Sequence, residues 1–247
     1  MELKNRIASS ETVDIYREGD KAVKLFKTGR KTDALYEALT HARIEYTDLL
    51  VPTIHEVSVI DGRWAITMDL IEGDTLEDLM KAHPEKQDEY LNLMVDLHLK
   101  VHQEKMPKLS KLKDKLARLI NSLEDIPDAT RYELLTRLDS MPKHVKLCHG
   151  NFMPANIILN DKGTYIVDWI AARQGNASAD VAKTYLLLSL QSPDMAEKYM
   201  NLFCEKTNTS KKYVQEWLPI VAAARLTEKR PEERDLLLKW IDVVAYE

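Results

Sequence analysis

The segment from residue 147 to residue 169, "LCHGNFMPANIILNDKGTYIVDW", constrains the structure of this chain more than any other. It contains two strand candidates, "ANIILN" and "GTYIVDW", and Asp161-Lys162-Gly163 supplies a turn between them. Asn156 stands near the start of the first run and Asp168 near the end of the second, so this strand-turn-strand brings their side chains together. Magnesium prefers hard oxygen ligands of this kind. The segment therefore predicts a magnesium site at Asn156 and Asp168.

Phosphoryl transfer needs a magnesium site, cations that neutralise phosphate oxygens, and a group that orients the attacking hydroxyl. Lys24, in "AVKLF", lies on a predicted strand, and Glu37 on the following helix is well placed to pair with it. Asn151 precedes Asn156 by five residues, a loop spacing that can set one at the acceptor hydroxyl and the other at the metal. The chain thus has a candidate for each requirement.

The first 72 residues predict two hairpins and one helix. "TVDIYR" and "KAVKLF" flank the turn Glu18-Gly19-Asp20, and Asp61-Gly62 divides "IHEVSVIDGRWAITMDLIEG" into two strands. Between the hairpins, "KTDALYEALTHARIEY" has helical periodicity. The apolar residues near one face of that helix are Ala34, Leu35, Ala38, Ala42 and Ile44.

The remainder of the chain is predicted to be mainly helical. Helical patterns occupy "LEDLMKAH", "DEYLNLMVDLHLKVHQE" and "LSKLKDKLARLINSLEDI", and "HVKLCHG" adds a third strand candidate to the two of the opening segment. After Gly175 we expect helices near residues 178–190, 193–206, 210–228 and 231–244.

Composition excludes several classes of protein. The 247 residues are 45% hydrophobic, enough for one large domain or two unequal lobes. The formal net charge of −5 is spread over the chain, so neither a nucleic-acid partner nor a solvating tail is indicated. Two cysteines form no disulfide framework, and no uncharged run reaches the roughly 20 residues of a membrane helix. We expect a soluble, cytoplasmic protein.

The motif set as a whole resembles the aminoglycoside phosphotransferase and choline kinase-like family. That family has H-G-D-x-x-x-x-N followed by a hydrophobic strand that ends in Asp, and this chain has "HGNFMPAN" and "YIVDW". "AVKLF", the Glu37 helix, "VPTIHEV", "DGRWAITMDLIEG", "VDLHLKVHQ" and "SADVAKTYLLL" follow the family's order over nearly the whole chain. The resemblance implies an α+β, two-lobed protein kinase-like fold, with a small β-rich lobe at 1–72 and a larger helical lobe at 73–247 that carries the catalytic and acceptor-binding residues.

The same resemblance implies a nucleotide site between the lobes. Lys24 would contact the α- and β-phosphates of ATP and be held by Glu37, and Met68 to Ile71 would form the hinge between the lobes. Adenine would be received by main-chain groups of Asp69 and Ile71. The segment that covers the phosphates has no glycine before Gly19, so phosphate contacts there fall to main-chain amides and to the hydroxyls of Ser9, Ser10 and Thr12.

The resemblance also implies the layout of the catalytic loop. His149 would brace the loop, Asn156 and Asp168 would bind magnesium, and Asp180 would support the loop from the following helix. Asn151 stands where the family has its catalytic aspartate. A carboxamide oxygen accepts a hydrogen bond from an alcohol but is a poor proton acceptor near neutral pH.

Asn151 leaves three explanations open: a natural pseudokinase, a natural enzyme of low activity, or an Asp→Asn change introduced into the sequence. General-base catalysis typically contributes about 10² to 10⁴-fold. Slow transfer is therefore compatible with the loss of the base, because metal and positioning do much of the work in phosphoryl transfer.

Other candidate features have simpler interpretations. His98 and His102 have helical spacing that suits zinc, but no third ligand accompanies them, and we interpret the pair as packed or capping residues. The lysines from 105 to 115 are interpreted as a solvated helix face. Asp194, Glu205 and Glu216 either line a pocket for a cationic acceptor or are solvated.

The motifs and this resemblance together predict an ATP- and magnesium-dependent phosphotransferase that acts on a hydroxyl of a small molecule, and the resemblance implies an aminoglycoside- or choline-like acceptor. Its catalytic residues are Lys24, Glu37 and Asn151. The alternative is a nucleotide-binding pseudokinase that presents a conformation to a partner. The sequence identifies neither the acceptor nor a protein partner, and it indicates no nucleic acid or membrane partner.

Overall fold

The computed structural model describes residues 3–241, which divide into two compact units. The first contains the residues up to Pro84 together with Pro154–Ile170, and the second contains Glu85–Met153 together with the residues from Ala171 onward. The sequence placed a boundary after residue 72. In the structure, the hairpin of the opening segment groups with the N-terminal strands, and residues 74 and 75 pair with its first strand. No helix among the described residues is long and apolar enough to cross a membrane.

Five antiparallel strands form the main sheet of the first unit within the described residues. They are β1 (Asn5–Ser9), β2 (Val13–Glu18), β3 (Lys21–Phe26), β4 (Ile54–Ile60) and β5 (Arg63–Asp69), in the order β1-β2-β3-β5-β4. Both predicted hairpins are present. Asp61 and Gly62 have φ of 49° and 76° at the second turn, and positive φ at both central residues is typical of tight turns that follow the twist of the strands.

Helix α1 (Lys31–Ile44) connects the two hairpins and packs on the sheet. Ala34, Ala38 and Ile44 are buried as predicted, but Leu35 is 43% exposed. Successive residues lie about 100° apart around a helix, so the residue after Ala34 is turned away from the buried stripe. Strand β1 was not predicted, because all five of its residues are exposed and the strand lacks the alternation that marks a half-buried strand.

Strand β3 is central to the sheet and is buried on both faces. Val23 and Leu25 pack with Ala65 on one face, and Phe26 packs with Ala34 of α1 on the other. Since side chains alternate along a strand, Lys24 points to the same face as Phe26, toward α1. This register puts the predicted phosphate-binding lysine inside the unit.

The first unit also contains a small second sheet and a short helix. Its strands are β6 (Asp74–Thr75), β8 (Ile157–Asn160) and β9 (Gly163–Ile166), in the order β6-β8-β9, and α2 (Leu76–Ala82) follows β6. Gly73 precedes β6 with φ of 151°, and a Cβ there would lie 2.3 Å from the main-chain oxygen of Leu159. Glycine therefore permits the close approach of β6 to the predicted hairpin β8–β9.

The second unit is mainly helical. Its helices are α3 (Gln87–Gln103), α4 (Leu112–Asn121), α5 (Asp128–Ser140), α6 (Ala177–Gln191), α7 (Pro193–Thr207), α8 (Lys211–Gln215), α9 (Leu218–Leu226) and α10 (Pro231–Ile241). Two short strands, β7 (Lys146–Cys148) and β10 (Arg173–Gly175), pair antiparallel.

The helices after Gly175 follow the predicted order with one difference. The single helix expected at 210–228 is divided into α8 and α9, and Pro219 lies in the first turn of α9, where the missing N–H has no intrahelical partner to lose. Helix α5 and strand β10 were not predicted. The last predicted helix, 231–244, extends beyond residue 241 and so partly outside the described residues.

Candidate active site

Lys24 and Glu37 form a buried ion pair in the first unit. Lys24 Nζ lies 2.5 Å from Glu37 Oε1, and the two side chains are 10% and 7% exposed. Strand β3 directs Lys24 toward α1, and Glu37 is on the buried stripe of that helix. The pairing that the sequence indicated is therefore present.

Asp168 is the second acid at this lysine. Its Oδ1 lies 3.7 Å from Lys24 Nζ, and its side chain is 34% exposed. Asp168 has φ of 64°, in the left-handed region that non-glycine residues seldom adopt. Backbone strain of this kind is concentrated at functional sites, where the surrounding structure enforces it.

Burial dominates the electrostatics of Glu37. It raises the pKa of Glu37, and the nearby charge of Lys24 opposes that rise. Glu37 Oε1 accepts from Lys24, while Oε2 is buried without a hydrogen-bond partner among residues 3–241. Glu37 is therefore held to Lys24 by one oxygen, and Lys24 has an acid on either side.

Asn156 lies beside the segment that leads to Asp168. The N–H of Val167 donates to the main-chain oxygen of Asn156 at 3.0 Å, directly beyond the paired residues Ile157 and Ile166 of the hairpin. Asn156 and Asp168 therefore stand at the same end of β8–β9 and offer a carboxamide and a carboxylate. This donor set fits a magnesium ion, which prefers oxygen ligands and commonly uses one or two protein carboxylates.

The predicted hinge residues lie at the end of β5. The N–H of Asp69 donates to Thr53 O at 3.0 Å, and the Asp69 carboxylate accepts from the Thr53 N–H at 3.0 Å and from His55 at 2.7 Å. Asp69 thus fixes the strand end with its side chain and its N–H. Met68, Asp69 and Ile71 are all partly exposed.

Ser10 closes the turn between β1 and β2. Its hydroxyl oxygen accepts from the N–H of Val13 at 3.2 Å, and its own N–H donates to Val13 O at 2.8 Å. Lys27, which the sequence did not single out, donates to Ser9 Oγ at 2.9 Å and to the main-chain oxygen of Ser10 at 2.6 Å. A third contact of this lysine, 3.4 Å from Lys27 Nζ to Asp14 Oδ1, ties the turn to the sheet.

Asn151 belongs to the second unit, where Asp180 organises the loop that carries it. Asp180 accepts from the main-chain N–H groups of His149 and Gly150, each at 2.7 Å. The N–H of Asn151 donates to His149 Nδ1 at 3.2 Å. Gly150 has φ of 78°, and a Cβ there would lie 2.7 Å from Ala171 O, so this position requires glycine.

Two histidines of α3 complete the hydrogen bonds of Asp180. His98 Nε2 lies 3.0 Å and His102 Nε2 3.2 Å from Asp180 Oδ2, and all three side chains are buried. Burial raises the pKa of Asp180, but hydrogen bonds from His102 and His98 hold it well below its usual range. The carboxylate is therefore charged and accepts four hydrogen bonds.

His98 is buried as a neutral imidazole. Burial, with the neighbouring His102, lowers the pKa of His98 to about 3. A neutral ring with its proton on Nε2 donates to Asp180 and accepts from the Tyr199 hydroxyl, which lies 2.5 Å from Nδ1. The ring also stacks on Phe152 of the loop, with 4.0 Å between centroids.

In the structure, Asp180 stands beside the histidine pair as a third candidate metal ligand, which the sequence did not indicate. The possible ligand atoms of His98, His102 and Asp180 all lie within 4.8 Å of one another. In the structure these groups hydrogen-bond directly to one another, as expected for packed residues that brace a loop. The histidines lie 82 and 78 residues from Asp180, so only their own helical spacing was visible in the sequence.

The family model described as "Phosphotransferase enzyme family" matches residues 13–217. No curated protein sequence matches the chain.

Solved structures share the fold. A thermostable mutant of aminoglycoside phosphotransferase APH(4)-Ia, in ternary complex with ADP and hygromycin B, superposes with a TM-score of 0.69 at 13% identity over 97% of this chain and 90% of that one. Aminoglycoside-3'-phosphotransferase of type VIII gives 0.65 at 16% identity over 93% and 92%. Choline kinase LicA from Streptococcus pneumoniae gives 0.66 at 14% identity over 100% and 94%.

These similarities confirm the predicted fold class, a kinase-like fold with an antiparallel N-terminal sheet and a helical C-terminal part. The family model covers most of the sequence, from the first residue of β2 to the residue before α9. The chain belongs to the phosphotransferase enzyme family.

Proposed function

We propose that this protein transfers the γ-phosphate of ATP to a hydroxyl of a small molecule in a magnesium-dependent reaction. The observation that carries the proposal is the buried Lys24–Glu37 pair with Asp168 3.7 Å from the same ammonium. A buried cation between two acids is poorly explained by stability alone, because desolvation opposes it. It is well explained as a preorganised site for phosphate oxygens.

Lys24 has the role of neutralising the α- and β-phosphates, and Glu37 holds its ammonium in place. Asn156 and Asp168 would hold the magnesium ion, which would shield the charge that develops on phosphate oxygens. At the end of β5, the main-chain N–H of Asp69 already donates to Thr53 O. The main-chain oxygen of Asp69 is therefore the group that accepts a hydrogen bond from the adenine amino group. Ile71 then supplies the N–H for a ring nitrogen of adenine.

Asn151 positions the acceptor. Its carboxamide oxygen accepts a hydrogen bond from the acceptor hydroxyl, which directs the oxygen toward the γ-phosphorus. The bond from this oxygen to phosphorus forms as the bond to ADP breaks, and the hydroxyl proton leaves to water or to the transferred phosphoryl group. Because no carboxylate base takes up this proton, we expect slow turnover.

The related structures are named for aminoglycosides or for choline, which supports a small-molecule acceptor for this chain. Reaction between two diffusible small molecules requires no membrane or nucleic-acid partner, and we place it in the cytoplasm, where ATP is abundant.

A second function is favoured by Asn151 itself. If the carboxamide abolishes transfer, the chain is a nucleotide-binding pseudokinase that presents a conformation to a partner. Both functions need the first unit's nucleotide site, and only one needs turnover.

Calorimetric titration of ATP into the purified protein, with and without magnesium, tests the proposal. We expect binding that strengthens when magnesium is present. Absence of binding in both conditions would exclude both functions. Magnesium-dependent binding followed by ADP release in the presence of acceptor candidates separates the kinase from the pseudokinase.

A further inference from the structure

A small cavity in the second unit lies among α4, α6 and α9 and has a volume of about 200 Å³. Gly150, the residue before Asn151, is part of its wall. Apolar lining comes from Leu112, Leu116, Leu119, Ala171, Ala179, Val221 and Ala224. The charged lining residues are Lys115, Asp180, Lys183, Arg225 and Glu228.

Two of these charged residues form no ion pair within the described part of the chain. Lys115 on α4 and Lys183 on α6 are both partly buried. Neither ammonium forms an ion pair or a hydrogen bond with any residue that the structure describes. The prediction of a solvated lysine face at 105–115 is therefore wrong for Lys115, because α4 turns this side chain into the cavity while Lys111 stays exposed.

The acids nearby are already engaged. Arg225 donates to Glu233 through Nε and Nη2, each at 2.6 Å, and to Glu228 through Nη1 at 2.5 Å. Both oxygens of Asp180 are taken by the loop N–H groups and the two histidines. Within the described residues, the two lysines therefore face the cavity without an acid paired to them, and Glu228 acts on both only from a longer distance.

The pKa values of the two lysines agree with this lack of ion pairs. Burial, followed by the charges of Lys183 and Arg173, lowers the pKa of Lys115 to about 7. Burial also lowers the pKa of Lys183, with Arg225 and Arg173 acting in the same direction and Glu228 and Asp180 opposing them. A desolvated, uncompensated ammonium destabilises a fold, so two of them around one cavity call for a ligand that neutralises them.

We propose that this cavity binds an anionic group of the phosphate acceptor, a carboxylate or a phosphate, through Lys115 and Lys183. The inference rests on the proposed function and specifies its substrate class: the acceptor is an anionic alcohol. Gly150 joins the cavity wall to Asn151, so an acceptor held here has the catalytic loop beside it.

Size and charge both argue against a large cationic acceptor at this site. Pockets for drug-sized ligands have volumes of about 300 to 1,000 Å³, and this cavity has about 200 Å³. Asp194, Glu205 and Glu216, which the sequence offered as acids for a cationic acceptor, do not line it, and the first two are exposed. A compact hydroxy acid or polyol phosphate matches the cavity better than an aminoglycoside.

The test is a calorimetric titration of four small alcohols into the nucleotide-free full chain near pH 6.5. Glycerate and glycerol 3-phosphate carry the two candidate anionic groups, glycerol is the neutral analogue, and ethanolamine is the cationic one. We expect at least one of the two anions to bind and glycerol and ethanolamine not to bind. The preferred anion distinguishes a carboxylate site from a phosphate site.

Three lysine variants locate the binding. Lys115→Met and Lys183→Met are each expected to weaken anion binding by about tenfold or more, the loss of one charge-assisted hydrogen bond. Lys100→Met on α3 removes an exposed lysine of the same unit and should leave affinity unchanged. Thermal unfolding of each variant checks that it is folded, and the two cavity lysines give independent results.

The inference would be overturned if neither anion bound at about 10 mM, a concentration that detects even millimolar affinity. It would also be overturned if the two cavity variants bound the anion as tightly as the Lys100→Met control. Loss of anion binding in Lys24→Ala together with its retention in Lys183→Met would also overturn it, since the anion would then occupy the nucleotide site.

The ATP titration is a separate test. Anion binding without ATP binding would contradict the kinase proposal, and ATP binding without anion selectivity would contradict only this inference.

Discussion

The ammonium of Lys24 lies 2.5 Å from Glu37 Oε1 and 3.7 Å from Asp168 Oδ1, so one buried cation is shared by two acids that are 131 residues apart in sequence. Glu37 makes the short contact. Under the proposed function, the longer contact to Asp168 is the one that a phosphate group would replace.

Glu37→Gln is expected to weaken ATP binding by about tenfold or more, because a neutral carboxamide no longer holds the ammonium away from Asp168. Calorimetry with magnesium present measures the effect. Glu56→Gln on β4 removes an exposed acid of the same unit and serves as the control. If the Glu37→Gln variant bound ATP as tightly as the parent, the ion pair would have only a structural role.

Asp168→Ala is expected to abolish the magnesium dependence of nucleotide binding, since the carboxylate is the charged member of the proposed metal site. ATP is titrated with and without magnesium into the variant and into Asp161→Ala, which changes an exposed acid in the turn of the same hairpin. An unchanged response to magnesium in the first variant would disprove the metal assignment.

Asn151→Asp should raise turnover by about 10² to 10⁴-fold, the usual contribution of a general base. ADP release in the presence of an accepted alcohol measures it, and Asn92→Asp, an exposed position on α3, is the matched control. ATP affinity should change little, because the substitution acts on the acceptor. A variant no faster than the parent would contradict the account in which the missing carboxylate limits the rate.

Much of this site was predictable because its residues lie on short-range patterns. Lys24 sits on a strand with a clear turn before it, and Asn156 and Asp168 flank a hairpin only twelve residues apart. Helix α5 was missed because it buries only Leu134 and Leu138, too few apolar residues to display a period.

Long-range clusters escaped prediction for a different reason. The hydrogen bonds of Asp180 join α3, α6 and the loop before Asn151, and no local pattern indicates which acid meets which histidine. Lys115 and Lys183 are similarly distant in sequence. A lysine on an amphipathic helix usually faces water, so the partial burial of Lys115 follows from the packing of three helices and not from its own sequence neighbours.

The His98 network predicts acid sensitivity. His98 has a pKa of about 3 in the fold against an ordinary value of 6.5, so between these values the unfolded chain binds more protons and stability falls as pH falls. Each pKa unit corresponds to about 1.4 kcal/mol, so the loss amounts to about 3 kcal/mol by pH 4. The charged or titratable groups that face the ring are His102, His149, Asp180 and Tyr199.

Urea unfolding at pH 7, 5.5 and 4 measures this dependence. His98→Gln should be less stable than the parent at pH 7 yet lose less stability on acidification, since the group that takes up the proton is gone. His144→Gln, at an exposed position, is expected to keep the parent's dependence. Parallel curves for the His98 variant and the parent would mean that another group governs the acid limb.

Lys115 predicts a second pH dependence, in the neutral to alkaline range. Its pKa of about 7 in the fold lies below the ordinary 10.5, so between these two values the unfolded chain binds more protons than the folded chain, and stability rises with pH. The cost of burying this ammonium is fully present below about pH 7, where the lysine is protonated in both states, and it has disappeared by about pH 10.5. Lys115→Met should therefore raise the free energy of unfolding at pH 7, by roughly 1 to 3 kcal/mol.

The advantage of Lys115→Met should shrink as pH approaches 10.5, where the unfolded lysine also loses its proton. Lys183, Arg173, Arg118 and Glu228 act on this lysine and are unchanged in the variant, so the difference between variant and parent isolates Lys115. Urea unfolding at pH 7 and 9.5 measures it, with Lys100→Met as the exposed control. A variant less stable than the parent at pH 7 would show that the ammonium is satisfied in the fold, and the need for an anionic ligand would disappear with it.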